Sequence, residues 1–292
     1  MSTFRNILMA SHYDDALTFE IVAEEDKDVF NLYFFSNKEV STVFWGDGTS
    51  SIVGGSEVSH KYAPGTYTAR LYLGSSTYTL CSLNSTVNIR SSNENWQRYP
   101  NLRNMVIHQC INSELLLTSI PDNSNDTRIQ FCSNAILPIT EIPPHTSSIW
   151  NFAALGEKAL LPFSELPDSV TGNADGAFYN CREATFTITR LPAGITSLRQ
   201  SFQFCDKATI QLDRLPPGIT DLFCAFEGCS LLEMNLDEVV ANAPAEGFPQ
   251  LTNLEHTFTR CPGVTGSRSG FLALCPNAVT DSGTFGGTNT TE

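Results

Sequence analysis

The sequence predicts a mainly β protein in two parts, a small N-terminal β-sandwich and a C-terminal solenoid of short strands joined by turns or short helices. Three observations predict it. The phrase TFTITRLP at 185–192 returns as TIQLDRLP at 209–216, twenty-four residues later. Cysteines recur in register with that phrase. The first ninety residues lack the repeat and carry alternating apolar runs separated by turn residues.

The repeat is read first, because a fixed period decides the architecture. CINSELLLTSIP starts at Cys110, CSNAILPITEIP at Cys132, CREATFTITRLP at Cys181 and CDKATIQLDRLP at Cys205; in each, Pro stands eleven residues after Cys. LGEKALLPFSELP, from Leu155, carries one extra residue and Leu in place of Cys. CSLLEMNLDEVV, from Cys229, loses the Pro and runs into ANAPAEGFPQ. Three residues before each anchor stands Ile107, Ile129, Phe152, Phe178, Phe202, Phe226 or Phe258, and Phe285 fills the slot in a final echo without Cys.

Within a unit, apolar residues alternate: Ala184, Phe186, Ile188, then Ala208, Ile210, Leu212, then Leu232, Met234, Leu236. Period two means a strand with one buried face. Leu-Pro ends it, because Pro has no N–H for a ladder. The next segment, AGITSLRQSFQFC, spaces Ile195, Leu198 and Phe202 as a short helix or tight turn would. One coil cannot bury its own apolar edge, but stacked coils can, at about 4.8 Å per strand. The period is therefore the length of one circuit. The Cys column reads as small, buried, reduced thiols at a tight bend.

This segment resembles leucine-rich repeats of the BspA-like bacterial surface type, through F-x-x-C-x-x-[AL]-x-[FIL]-x-[IL]-x-x-L-P as in FQFCDKATIQLDRLP. The resemblance covers about 100–288. It departs at the residue inserted before Pro167, at 241–250 and in the degraded repeat at 261–288, which would serve as a cap.

The first ninety residues place strand signals about every ten residues, as a sandwich does. Gly46-Asp47-Gly48 follows Trp45, and Pro64-Gly65 precedes the alternation Tyr67, Ala69, Leu71. WGDGT at 45–49 and H-x-Y-x-x-P-G-x-Y-T at 60–68 resemble a PKD domain, an Ig-like sandwich. The resemblance implies that Trp45 is core, Asp47 braces a turn and Tyr67 packs. Some PKD relatives bind calcium near such turns; this chain lacks a dense Asp/Asn loop. The expected organisation is an N-terminal arm over 1–17, a PKD-like sandwich over 18–90, a joint or cap over 91–100 containing Trp96 and Tyr99, and repeats over 101–292.

Composition bounds the function. The chain has 292 residues, 41% of them hydrophobic, enough for one to three packed domains. A net charge of −14, with no Lys/Arg cluster, disfavours nucleic acid. No run of about 18 apolar residues predicts membrane insertion. The start, MSTFRNILMASHYDD, does not read as a cleaved signal peptide, so the protein is expected to stay where it is made or to leave by another route. The nine Cys are odd in number and dispersed, and Cys224 and Cys229 are five apart without a nearby His, unlike a zinc site. No metal and no cofactor is expected.

Catalytic patterns are missing: no G-x-S-x-G, H-E-x-x-H, P-loop or strand-linked G-x-G-x-x-G occurs. Among the five His (His12, His60, His108, His145 and His256), only His108 lies two residues from a Cys, and that Cys110 belongs to the anchor column. The chain is therefore expected not to be an enzyme. The outward strand positions carry Glu114, Thr118, Thr140, Ser164 and then the candidate binding face Thr185, Thr187, Thr189, Thr209, Gln211, Asp213, Glu233, Asn235 and Asp237. It is polar, Thr-rich and without aromatic residues, suited to a basic or hydroxyl-rich protein partner. An Ig-like module joined to a solenoid suggests, by fold-level analogy, a display or adhesion protein. The signal-free start and reduced thiols point to a bacteriophage virion component contacting neighbouring subunits or a host receptor. Alternatives are a bacterial cell-surface adhesin and a carbohydrate-binding accessory module of an enzyme system.

Overall fold

The computed structural model describes residues 16–26, 28–36, 41–53, 57–72, 78–82, 87–91, 102–108, 114–115, 128–130, 142, 144, 146–154 and 160–292. The expectations for the arm before Ala16, for Trp96 and Tyr99, and for Cys110, Thr118, Cys132, Thr140 and Leu155 lie outside the described residues. The fold is mainly β.

Eight strands come first: β1 (Leu17–Ala23), β2 (Asp28–Ser36), β3 (Ser41–Phe44), β4 (Ser50–Val53), β5 (Glu57–Tyr62), β6 (Gly65–Tyr72), β7 (Tyr78–Ser82) and β8 (Asn88–Ser91). In β1 burial alternates strictly, as LTFEIVA requires of a strand with one inward face. Antiparallel pairing orders β8-β1-β6-β3-β4 in one sheet and β7-β2-β5 in another. Phe19 of the first sheet meets Phe30 of the second edge to face at 5.8 Å, and Phe30 meets Trp45 at 6.3 Å.

The two N-terminal motifs interlock. Gly46 has φ +88°, and a Cβ there would lie 2.6 Å from the Thr68 backbone, so only glycine fits. Asp47 Oδ1 accepts the Thr49 N–H at 2.9 Å, and its Oδ2 lies 2.8 Å from His60 Nε2. The His60 ring stacks on Trp45 at 4.8 Å, and the Tyr62 hydroxyl donates to the Trp45 carbonyl. Tyr67 OH reaches the Ala63 carbonyl. Trp45 is fully buried, and Tyr67 packs against the core. Burial raises the Asp47 carboxyl, but the Thr49 and His60 hydrogen bonds outweigh it and hold it below the usual carboxylate range. A depressed carboxyl stabilises above its unfolded value, and that stability is lost as pH falls through the folded value. Asp47→Ala should therefore cost roughly 1–3 kcal/mol at pH 7, and the difference from the native chain should shrink below about pH 4. Urea melts at pH 7 and pH 3 measure it; an equal loss at both would remove the charge from the explanation.

The sheets do not stop at residue 91. Strand β9 (Leu102–His108) adds to β7 in parallel, β10 (Glu114–Leu115) adds to β8, and β11 (Arg128–Gln130) adds to β9. Antiparallel pairing gives way to parallel pairing while both sheets continue.

From 160 onward the pairing is wholly parallel. β12 (Leu160–Leu161), β14 (Thr185–Ile188), β16 (Thr209–Gln211), β17 (Leu232–Asn235) and β18 (Val264–Thr265) form one sheet in chain order. Leu161 pairs with Phe186, Ile188 with Ile210, Ile210 with Leu232 and Met234 with Val264. Each coil thus sets its inward residue beside its neighbour's. A second side pairs β13 (Gly172–Asn173) with β15 (Ile195–Ser197), and single bridges continue it from Ser197 to Asp221, Asn253 and Val279. Two short helices interrupt the late coils, α1 (Leu236–Ala241) and α2 (Arg268–Ala273), each capped by the side-chain oxygen of its preceding Asn235 or Ser267.

The segment around each Phe is a tight turn. Its N–H groups alternate: Ala177, Tyr179 and Cys181 bond to carbonyls three residues back, whereas Gly176, Phe178 and Asn180 donate to Arg199, Ser201 and Gln203 of the next coil. An α-helix would spend every N–H within the segment. The alternation requires left-handed residues on both sides of Phe, and Gln200, Phe204, Cys224, Gly228, His256 and Arg260 all have φ between +52° and +77°. The rings stack into a column: Phe178–Phe202 at 5.4 Å, Phe202–Phe226 at 5.6 Å, Phe226–Phe258 at 6.0 Å and Phe258–Phe285 at 5.7 Å.

The thiols line up beside that column, and each has a partner. Cys205 Sγ donates to the Phe178 carbonyl at 3.0 Å, Cys229 to Phe202 at 2.8 Å and Cys261 to Phe226 at 2.9 Å. The same carbonyls already accept the N–H of Cys181, Cys205 and Cys229 from their own coil. The thiol satisfies the second lone pair of a buried carbonyl that water cannot reach. Burial pushes Cys205 and Cys229 well above the ordinary thiol value, and Cys261 up to about 12, so the donor proton stays on.

Candidate binding face

The ladder, not the repeated phrase, sets the neighbours on the outward side: Thr187 pairs with Thr209, Gln211 with Glu233 and Asn235 with Thr265, while Thr185 pairs with Leu160. Thr189 and Asp213 stand just past their strand ends, and Asp237, expected on a strand, lies in α1, where the chain turns helical in place of the Leu-Pro stop. All nine candidate positions are exposed or half-buried. Gln211 pairs in register with Glu233, and its Nε2 donates to Glu233 Oε2 at 2.7 Å.

Several of these side chains are already engaged. Asn235 Oδ1 accepts the Asp237 N–H, capping α1, and Asp237 Oδ1 accepts the Ser267 N–H at 3.1 Å. Asp213 holds Arg214 through two bonds of 2.9 Å, and the guanidinium keeps its carboxyl below the usual range against a smaller push from burial. The threonines at 185, 187 and 209 are left as the open part of the face, with Thr189 reaching the Ser164 carbonyl only at 3.5 Å.

Three further residues shape the surface: Arg190, Arg214 and Glu238, which follow Thr189, Asp213 and Asp237 in sequence. Together with Gln211, Glu233 and Asn235 they line an open groove of about 570 Å³. α1 supplies one wall because it runs through the place where the earlier coils have Leu-Pro. Arg190 is braced from below by Asp168 and Glu165. These three lie outside the candidate face, although the signal of the first two stands in the repeated phrase as the Arg of TRLP and DRLP. The groove is polar, with carboxylates outnumbering guanidiniums.

One hydroxyl–imidazole–carboxylate chain occurs elsewhere. His256 Nε2 lies 2.8 Å from Asp281 Oδ2, and Thr259 Oγ1 lies 3.3 Å from His256 Nδ1. Thr259 spends its proton on the Gly283 carbonyl at 2.5 Å, and Asp281 also accepts the His256 N–H and the Thr284 hydroxyl. These bonds tie the last coil to the one before it. Among the described residues no three His, Cys, Asp or Glu are grouped to hold a metal ion, and no helix is long and apolar enough to cross a membrane.

Fold and site together define a mainly β protein whose parallel coils present a grooved polar face. Compared with family models, with curated proteins and with solved structures, the chain matches none.

Proposed function

We propose that this chain is a non-catalytic binding protein displayed on a surface, and specifically a bacteriophage virion component of the decoration, fibre or tail-associated kind. The architecture assigned is a PKD-like Ig sandwich followed by BspA-like leucine-rich repeats. Its support is the interlock of Trp45, Asp47, His60 and Tyr62, together with the Phe and Cys columns of the coils. The observation that carries the binding role is the grooved outward face, whose side chains stand at fixed spacing on a stacked support. Such a face suits a folded protein partner offering basic or hydroxyl groups.

The thiol ladder favours a virion over a protein matured in an oxidising compartment. Each thiol must keep its proton, and disulfide-forming conditions would compete for it during folding. Phage particles assemble in the reducing cytosol and meet the outside already folded.

Mass spectrometry of density-purified particles and of culture fractions tests this. Peptides of this chain should copurify with particles at stoichiometric yield. Recovery only with the cell envelope would replace the virion by a cell-surface adhesin.

A further inference from the structure

A second concavity, of about 550 Å³, shares no lining residue with the groove and does not depend on the virion assignment. It opens beside the Phe turns. Two places after each Phe stand Asn180, Phe204, Gly228 and Arg260; one place after each Cys stand Arg182, Asp206 and Ser230. The notch exists because Gly228 and Ser230 are small where neighbouring coils carry larger groups. The Phe204 ring leans over Gly228, since a Cβ there would lie 2.9 Å from Phe204 Cδ1.

Two guanidiniums attend that ring, Arg182 at 5.1 Å and Arg260 at 5.5 Å from its centre. Among the described residues Arg182 donates to Asn180 Oδ1 and has no carboxylate partner, whereas Arg190, Arg199, Lys207 and Arg214 each have one. Arg260 touches Glu227 only at 3.5 Å, with further N–H groups to spare. Ser230 Oγ donates to the Asp206 carbonyl at 2.7 Å, which leaves its lone pairs to accept, and both residues line the notch.

This set is specific in its chemistry. Guanidiniums take a carboxylate in paired bonds. Phe204 stands as an apolar wall beside the guanidiniums, and Asp206 with Ser230 takes ring hydroxyls. Asp206 would repel an acidic peptide, which offers carboxylates without hydroxyl donors. We infer that the notch binds a carboxylate-bearing sugar, a uronic-acid ring of an acidic glycan. Arg182 and Arg260 hold its carboxylate, Asp206 and Ser230 its hydroxyls, and Phe204 forms the apolar wall beside them. The volume is that of an ordinary small-ligand site.

The full chain is titrated by calorimetry with a galacturonic acid oligomer, with the neutral galactose oligomer and with poly-glutamate. Saturable binding of the uronate oligomer alone is expected. Arg182→Gln should weaken it about tenfold, the effect of losing one charged contact. Ser230→Trp should abolish it by filling the notch, and Arg199→Gln, which lines neither concavity, should leave it unchanged. Circular dichroism melts of each variant separate loss of binding from loss of fold. No saturable uronate binding, equal binding of the neutral oligomer, tighter binding of poly-glutamate, or undiminished binding by Arg182→Gln would overturn the assignment. None of these outcomes bears on whether the chain copurifies with particles.

Discussion

Phe226→Ala should lose about 3–5 kcal/mol of unfolding free energy, the largest effect of any single substitution in the ring column. Phe226 is fully buried and lies flat between Phe202 and Phe258, within 2° of both ring planes. Truncation removes two stacking contacts and leaves a void between coils whose backbones are held apart by fixed ladders. Adjacent coils do not close over it, because Phe226 N–H is bonded to Thr257 and Phe202 N–H to Ala225. A stack has only nearest-neighbour contacts, so a break at one level isolates what lies beyond it. Hydrogen exchange should show amides of 252–288 losing protection before those of 176–204. Thr185→Ala, on the exposed face, should leave both the melt and the exchange pattern within about 0.5 kcal/mol of native. Uniform loss of protection through both regions would mean that the coils are not coupled in series.

The second large effect concerns the thiols. Chain unfolded in urea, alkylated with iodoacetamide and then diluted should fail to restack, whereas unmodified chain under reductant should recover. The alkylated sulfur has no proton to give to Phe178, Phe202 or Phe226, and the added acetamide does not fit beside them. In the folded protein Cys205 and Cys229 should resist a thiol reagent at pH 7, because burial holds them protonated and out of reach. The pH dependence has a definite sign. A thiol raised on folding gives stability that is complete below the unfolded value, about 8.5, and is lost as pH rises through the folded value, about 12 for Cys261. Fast labelling of folded Cys205 at neutral pH would contradict the ladder.

Much of this was legible in the linear chain, and the limits are physical. The phrase shared by 185–192 and 209–216 is visible because every coil must offer the same inward residues at the same place. Trp45 and Asp47 were legible as core and turn, but the bond from Asp47 to His60 was not, since it joins residues thirteen apart through a fold. The Cys column suggested small buried residues; that each thiol donates to the preceding coil depends on a coil-to-coil distance that no spacing rule contains. The parallel addition of β9 to β7 was hidden for a similar reason: it crosses a boundary where composition changes but hydrogen bonding does not. The groove walls fell between, with Arg190 and Arg214 inside the repeated phrase and Glu238 disguised by a helix.

The alternating N–H pattern at the Phe turns has a mechanical consequence. Every second peptide there is tied along the axis of the stack to the coil that follows. Tension applied to the two ends of the molecule would load those ties a rung at a time rather than all at once. Each rung that yields would pay out about 80 Å of slack and leave the remainder intact, so the protein would absorb a pull as a series of small surrenders.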